Sequence, residues 1–128
     1  MQMLLAATFA MTFPALAQAE TWQPVSKTAV SITGKVIFTS KKINFQNGQS
    51  LAIKAATGEG MDGQIFKILK PADPILLRGS TLCGRSSVKY ILVVKGDGPE
   101  RGLDVFDGAE IPHQDTSPCA TYSYRVGR

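Results

Sequence analysis

Residues 43–53, INFQNGQSLAI, decide the fold class of this chain. Apolar and polar residues alternate on both sides of Asn47-Gly48, which is the pattern of two half-buried strands. Asn-Gly between two such runs favours a two-residue type I′ turn, because that turn needs a positive φ at both central positions. The segment therefore predicts an antiparallel hairpin with Asn47-Gly48 at its tip.

Five more segments have the apolar pattern of short strands: residues 29–39, 65–70, 88–95, 103–106 and 122–126. Residues 88–95 are apolar on both parities in their second half, as in a strand covered on both faces. Seven short strands in total predict an all-β fold, a single small antiparallel β-sandwich or β-barrel. The residues expected in or beside its core are Val36, Phe38, Phe45, Ile53, Leu92 and Tyr122.

Three local features connect these strands. Gly34 falls on the apolar parity of residues 29–39 and is expected at a bulge or a close backbone approach. Residues 56–64 contain three glycines without apolar periodicity, so they predict a loop. Asp73 as N-cap, Pro74 as first helical residue and Gly79 after the end predict one short helical turn.

The first nineteen residues have the composition of a secretory signal peptide. Residues 3–13 are an apolar run, Pro14 interrupts it, and Ala17 and Ala19 place small residues before a cleavage site at Glu20. The run is shorter than the ~18 residues that a membrane-spanning helix needs. We therefore expect a signal peptide over 1–19 and a single exported β domain over 20–128 that is periplasmic or secreted and does not span the membrane.

The two cysteines, Cys83 and Cys119, lie outside the predicted strands. An exported chain with an even cysteine count favours a disulfide between them. They do not form a Cys-x-x-Cys redox motif, and the sequence lacks the additional ligands that a zinc site needs.

Catalytic side chains are scarce, since the sequence has one histidine. His113 precedes Asp115 by two residues, and a nucleophile for such a pair would come from Ser86, Ser87 or Ser117. The chain has no Gly-x-Ser-x-Gly elbow, however, and sequence spacing brings no two carboxylates to hydrolase distance. We predict no catalytic residue and no cofactor; the alternative is a small secreted hydrolase that uses loop carboxylates or His113.

The charges are unevenly distributed along the chain. The net charge is +4, but residues 20–95 carry eleven Lys and Arg against four Asp and Glu, whereas residues 96–128 carry three against six. The basic residues are dispersed and have no interleaved aromatic motif, which argues against nucleic acid and leaves anionic envelope polymers or lipid head groups as partners. Asp104, Asp107 and Glu110 lack the register of an EF-hand, so no metal site is predicted.

Four strings carry a resemblance: Pro71-Ala72-Asp73-Pro74, Leu82-Cys83-Gly84, Val105-Phe106-Asp107-Gly108 and the segment 119–124, CATYSY. Together they resemble a pattern of small exported bacterial proteins of unknown function, and the resemblance covers most of the mature chain without implying an activity. A looser similarity of size and class is to periplasmic lysozyme inhibitors, which are also small, exported, β-rich and disulfide-bonded. It implies a basic lysozyme-like partner that would contact the acidic segment 96–115.

We therefore predict a non-catalytic exported envelope protein, a binding or inhibitor module. The expected partner is an envelope protein, a lysozyme-like enzyme or an anionic envelope polymer. Recognition by such a module is expected in loops on a rigid scaffold, and the longest connections are 56–64 and 107–118. The candidate binding residues in these loops are Glu59, Met61, Asp62, Asp107, Glu110, His113 and Asp115.

The signal peptide generates the first testable prediction. Protein recovered from the exported fraction should begin at or near Glu20, because the small residues at 17 and 19 match the specificity of signal peptidases. Intact mass spectrometry checks this directly. A mass that still includes residues 1–19 would contradict the prediction.

Overall fold

The computed structural model describes residues 19–58, 61–84 and 86–127, so the predicted signal peptide, apart from Ala19, lies outside the described residues. Eight antiparallel strands form one closed barrel, in which each strand pairs with its neighbours along the chain and the last pairs with the first. The predicted all-β antiparallel fold is confirmed, and the barrel is the form that it takes. The strands are β1 (Glu20–Pro24), β2 (Val36–Thr39), β3 (Lys42–Phe45), β4 (Ser50–Ala56), β5 (Gln64–Ala72), β6 (Val88–Lys95), β7 (Glu100–Phe106) and β8 (Ala120–Val126).

The hairpin of β3 and β4 is confirmed, but its turn differs from the prediction. Asn44 pairs with Ser50, and the Phe45 N–H donates to the Gln49 carbonyl over 2.8 Å, so this hydrogen bond encloses a turn of three residues, 46–48. Among the described residues that are not glycine, Arg78 alone has a positive φ, so Asn47 does not have the geometry of a type I′ turn. Gly48 (φ 96°) takes the positive φ instead, as in a three-residue loop with a glycine bulge.

The side chain of Asn47 explains this preference. Its Oδ1 accepts the Gln49 N–H over 3.1 Å, and its Nδ2 donates to the Ile75 carbonyl over 3.0 Å. The first contact is a local Asx bond, and the second fixes the hairpin against another connection of the barrel. The tertiary contact therefore contributes to the choice of turn.

The strand predicted over 29–39 is wrong in its first half. Ala29–Thr33 is a π-helical turn, and only Val36–Thr39 is a strand. Ala29 and Thr33 are buried four residues apart, while Val30 is 51% exposed, so burial follows a helical spacing. Gly34 does make the expected close approach, since a Cβ there would lie 2.8 Å from Gln46 Cβ.

The eighth strand, β1, has no counterpart in the predicted set. It pairs with β2 through Trp22 and Val36 and with β8 through Trp22 and Val126. Only Trp22 of its five residues is buried. A strand with one large apolar residue gives almost no periodic signal, which is why the alternation pattern missed it.

The two ends of the barrel differ. At the plugged end, residues 25–35, 46–49, 73–87 and 107–119 connect the strands. Residues from two of these connections close this end, and their buried side chains include Ala29, Thr33, Leu76 and Leu82. At the open end, residues 40–41, 57–63 and 96–99 connect the strands.

The helical turn predicted after Asp73 lies further along the chain. The 3₁₀ turn is Leu77–Gly79 and its N-cap position is Leu76, so Asp73 is not the N-cap. Asp73 Oδ1 instead accepts the N–H of Leu82 over 3.1 Å and that of Cys83 over 3.5 Å. The carboxylate therefore orders the second half of the 73–87 connection.

The interior contains an aromatic cluster that crosses the barrel. Trp22 stacks on Phe38 with ring centroids 4.8 Å apart and packs against Tyr124 at 5.4 Å. Phe38 contacts the edge of Phe66 at 5.5 Å, and the Tyr124 hydroxyl forms a 2.7 Å hydrogen bond with Thr33. The predicted core residues are confirmed: Val36, Phe45, Ile53 and Tyr122 are buried in this interior, Phe38 packs against it, and Leu92 is buried in a second cluster.

The second cluster lies on the outer surface of β5, β6 and β7. It contains Ile65, Leu92 and Phe106, whose neighbours in sequence, such as Phe66 and Val93, belong to the interior cluster. We call these three residues the outer cluster. Their burial explains why residues 88–95 are apolar on both parities.

The disulfide provides a prediction about stability. Cys83 and Cys119 are bonded, with Cα atoms 5.4 Å apart, and so connect segments 73–87 and 107–119 at the plugged end. The closed loop has a sequence separation of 36, and losing it in a C83S/C119S variant should lower the free energy of unfolding by about 4 kcal/mol in the chain-entropy model. Denaturant unfolding measures this. Dithiothreitol should destabilise the wild-type protein by a similar amount and leave the variant unchanged; an equally stable variant would contradict the prediction.

Candidate functional site

The structure brings the two predicted binding loops together. A Cβ atom placed on Gly58 would lie 3.1 Å from the Pro112 carbonyl oxygen and 2.6 Å from Ile65 Cδ1. Gly58 belongs to the β4–β5 connection and Pro112 to the β7–β8 connection, which start at opposite ends of the barrel. The second loop therefore extends along the outside of the barrel until it meets the first. We call the described residues of 57–63 and 110–116 the two-loop surface.

Both loops carry apolar residues near the point where they meet. Pro112 is buried, Ile111 is 38% exposed, and Met61 packs against the outer cluster from the other loop. Apolar area on the outer wall of a barrel is stabilised when a loop covers it. Met61 thus fixes the shorter loop to the outer cluster by apolar contacts, and the longer loop meets that shorter loop at Gly58.

A groove lies between the two loops. Thr57 lines it from one loop, Glu110, Ile111, Pro112 and His113 line it from the other, and its volume is about 630 Å³. An exposed carboxylate, an exposed imidazole and a half-exposed isoleucine therefore share one concave surface. Such a mixture of one apolar anchor with a polar rim is typical of protein interfaces.

The tip of the longer loop is a turn held by its own hydrogen bonds. The Thr116 N–H donates to the His113 carbonyl over 2.8 Å, and the His113 N–H donates to Thr116 Oγ1 over 3.0 Å. His113 Nδ1 accepts the Asp115 N–H over 3.3 Å. In a Ser-His-Asp arrangement this nitrogen donates to a carboxylate, whereas here it accepts a backbone N–H of its own turn.

The structure places most of the predicted site residues on the two-loop surface. Asp62, Glu110, His113 and Asp115 are exposed, and Met61 is half-buried. Glu59 lies outside the described residues. Sequence reasoning missed Ile111 and Pro112, although an apolar pair inside an acidic loop was a signal that could have identified them.

Asp107 does not belong to this surface. Its carboxylate lies with the sulfurs of Cys83 and Cys119 in a group whose ligand atoms are within 4.8 Å of one another. Its carbonyl oxygen accepts a 3.2 Å hydrogen bond from Lys89 Nζ. Both sulfurs are bonded to each other, so they do not offer the thiolates that a metal would need, and Asp107 is a neighbour of the disulfide.

Asp104 lies on the outer wall of the barrel, in β7. It pairs with Leu92 of the outer cluster and with Thr121 of β8. Partial burial raises the pKa of its carboxyl group above the ordinary value. This carboxyl group is thus part of the barrel wall and is separate from the exposed carboxylates of the loop.

The open end contains a second polar arrangement, which sequence spacing could not reveal. Arg101 forms a bidentate salt bridge with Glu20, in which Nε and Nη2 each donate over 3.0 Å. The Trp22 indole N–H donates to the same carboxylate over 2.9 Å. The hydrogen bonds from Arg101 are the main reason why the pKa of Glu20 is lowered to about 2.

The fold defines the protein as a closed, eight-stranded antiparallel barrel with an apolar interior. Comparisons with protein-family models, with curated proteins and with solved structures found no match. In the part of the chain that the structure describes, no helix combines the length and apolar character that crossing a membrane requires.

The Glu20–Arg101 pair predicts how stability depends on pH. Because the folded pKa of about 2 lies below the ordinary value of 4.5, the pair stabilises the fold above pH 4.5 and loses this effect as the pH falls towards 2. A Glu20→Gln variant should be less stable than the wild type at neutral pH by about 2 kcal/mol, and this difference should shrink across that acidic range. Urea unfolding at several pH values measures it.

Glu100→Gln is the matched control, since Glu100 is an exposed carboxylate on the same strand as Arg101. It should leave the acid dependence unchanged. A constant stability difference between Glu20→Gln and the wild type from neutral to acidic pH would contradict the prediction.

Proposed function

We propose that this protein is a non-catalytic envelope binding or inhibitor module that recognises a cationic protein through the two-loop surface. The observation that carries the proposal is the contact between Gly58 and Pro112, which unites two loops from opposite ends of the barrel into one surface. A lysozyme-like enzyme is the partner that we test first, since lysozymes are usually basic.

The composition of the surface supports a cationic partner. Glu110 and Asp115 are exposed carboxylates of the longer loop, and Ile111 presents apolar area next to Glu110 in the groove; Asp62 is an exposed carboxylate of the shorter loop. Among the described residues, the one salt bridge is Arg101–Glu20 at the open end, so these three carboxylates form no salt bridge with a Lys or Arg. An apolar anchor with a rim of one charge favours a partner of the opposite charge and accelerates the encounter with it.

The rigidity of the support is the second argument. Pro112 is buried, Met61 packs on the outer cluster, and the turn of residues 113–116 is internally hydrogen-bonded. A surface that is already ordered loses less conformational entropy on binding than a free loop does. This pre-organisation is what a binding or inhibitor module requires.

Removing two carboxylates tests the proposal. Affinity for a basic lysozyme, and inhibition of it, should be about tenfold weaker in a Glu110→Gln/Asp115→Asn variant at low ionic strength, and the difference should diminish with added salt. Asp97→Asn/Glu100→Gln is the matched control, because it removes two exposed carboxylates of the open end. Calorimetry and a lysozyme activity assay provide the two measurements.

An Ile111→Ser variant tests the apolar contribution of the two-loop surface separately from the contribution of its charges. It should weaken binding at low and at high salt alike, because the lost contact is apolar. Wild-type protein that neither binds nor inhibits the lysozyme at low salt would overturn a lysozyme-like partner. An equal loss of affinity in the control variant would remove the two-loop surface from the interface.

A further inference from the structure

The plugged end of the barrel presents exposed apolar side chains among cations. Val30 is 51% exposed on the π-helical turn, and Ile75 is 64% exposed just before the 3₁₀ turn. Lys27, Lys35 and Arg78 are exposed at the same end. We call these five residues the plug patch.

Hydrogen bonds between the connections bring these residues close together. Arg78 Nη1 donates to the Ser31 carbonyl over 3.2 Å, which joins the 3₁₀ turn to the residue after Val30. The Ile75 carbonyl accepts a bond from the β3–β4 connection, and Gln46 of that connection accepts the Lys35 N–H over 2.9 Å. Lys27 lies in the same connection as Val30, two residues before the π-helical turn begins.

The charges of the patch are not neutralised within the described residues, where Arg101–Glu20 is the one salt bridge. The carboxylate of Asp73, in the same connection as Ile75, is directed at the N–H groups of Leu82 and Cys83. Asp107 lies beside the disulfide, on the β7–β8 connection. The patch is therefore a cationic surface around two protruding apolar side chains.

We infer that the plug patch docks the protein on an anionic lipid bilayer. Cations beside a bilayer are attracted to lipid phosphates, and apolar side chains that project between them gain by entering the boundary between headgroups and acyl chains. A soluble polyanion would use Lys27, Lys35 and Arg78 but would leave Val30 and Ile75 exposed to water. The combination of charge and exposed apolar area therefore favours a lipid surface over a polymer.

This inference does not depend on the proposed function, because it uses a different surface. The plug patch contains no residue of the two-loop surface, and 57–63 belongs to the open end. The two proposals can therefore fail separately. The Glu110→Gln/Asp115→Asn variant should bind vesicles as the wild type does.

The test is co-sedimentation of the mature protein with vesicles of equimolar phosphatidylcholine and phosphatidylglycerol, compared with phosphatidylcholine alone. A Lys27→Gln/Lys35→Gln variant should bind the anionic vesicles about 25-fold more weakly, since each cation near such a surface contributes about fivefold. Lys41→Gln/Lys95→Gln is the matched control, because both lysines are exposed at the open end. Circular dichroism verifies that each variant is folded.

A Val30→Ser/Ile75→Ser variant tests the apolar contribution and should weaken vesicle binding about tenfold. Its control is Leu69→Ser, which removes an exposed apolar side chain from β5. Heparin serves as a soluble polyanion, and its binding should be insensitive to Val30→Ser/Ile75→Ser. The inference would be overturned if the wild type does not bind vesicles, or if the two lysine variants lose equal affinity. It would also be overturned if Val30→Ser/Ile75→Ser leaves vesicle binding unchanged.

Discussion

The closure of the barrel depends on Trp22. This side chain is fully buried, stacks on Phe38 of β2 and packs against Tyr124 of β8, so one residue of β1 connects both neighbouring strands through the interior. Burying a side chain of this size contributes on the order of 3–5 kcal/mol. Its indole N–H is satisfied by Glu20, which Arg101 holds in place. Without β1 the sheet would have two unpaired edges, and the barrel would be open.

The interior cluster also explains why the fold needs a plug. The Tyr124 hydroxyl group is buried away from water and therefore needs a hydrogen-bond partner within the protein. Thr33 provides this partner. Burial raises the pKa of Tyr124, and it raises that of Tyr122 to about 12, where the hydroxyl donates to the Leu82 carbonyl. Both partners, Thr33 and Leu82, belong to connections of the plugged end. The tyrosines of β8 therefore position the segments that close the barrel.

Sequence reasoning succeeded where local pattern and tertiary structure agree. The alternation around Asn47-Gly48 predicted the hairpin, and the apolar strand 88–95 became β6, with one face inside the barrel and the other under the outer cluster. It failed over 29–33, where the same alternation occurs but burial follows the helical spacing of Ala29 and Thr33. This turn is determined by tertiary contacts, since Ala29 packs in the interior cluster and Thr33 bonds to Tyr124. A pattern of neighbouring residues in sequence does not contain that information.

The candidate site could be predicted only in parts, for a related reason. Loop length and charge identified both loops, but the contact of Gly58 with Pro112 is tertiary, and the cluster on which Met61 packs is assembled from three strands through Ile65, Leu92 and Phe106. Proximity in sequence groups Asp107 with Glu110, yet Asp107 lies beside the disulfide, whereas Pro112 lies against Gly58 of the other loop. The wall therefore contributes to the two-loop surface through the packing of Met61. Substitutions of Ile65 or Leu92, on which Met61 packs, would therefore change that surface without altering an exposed loop residue.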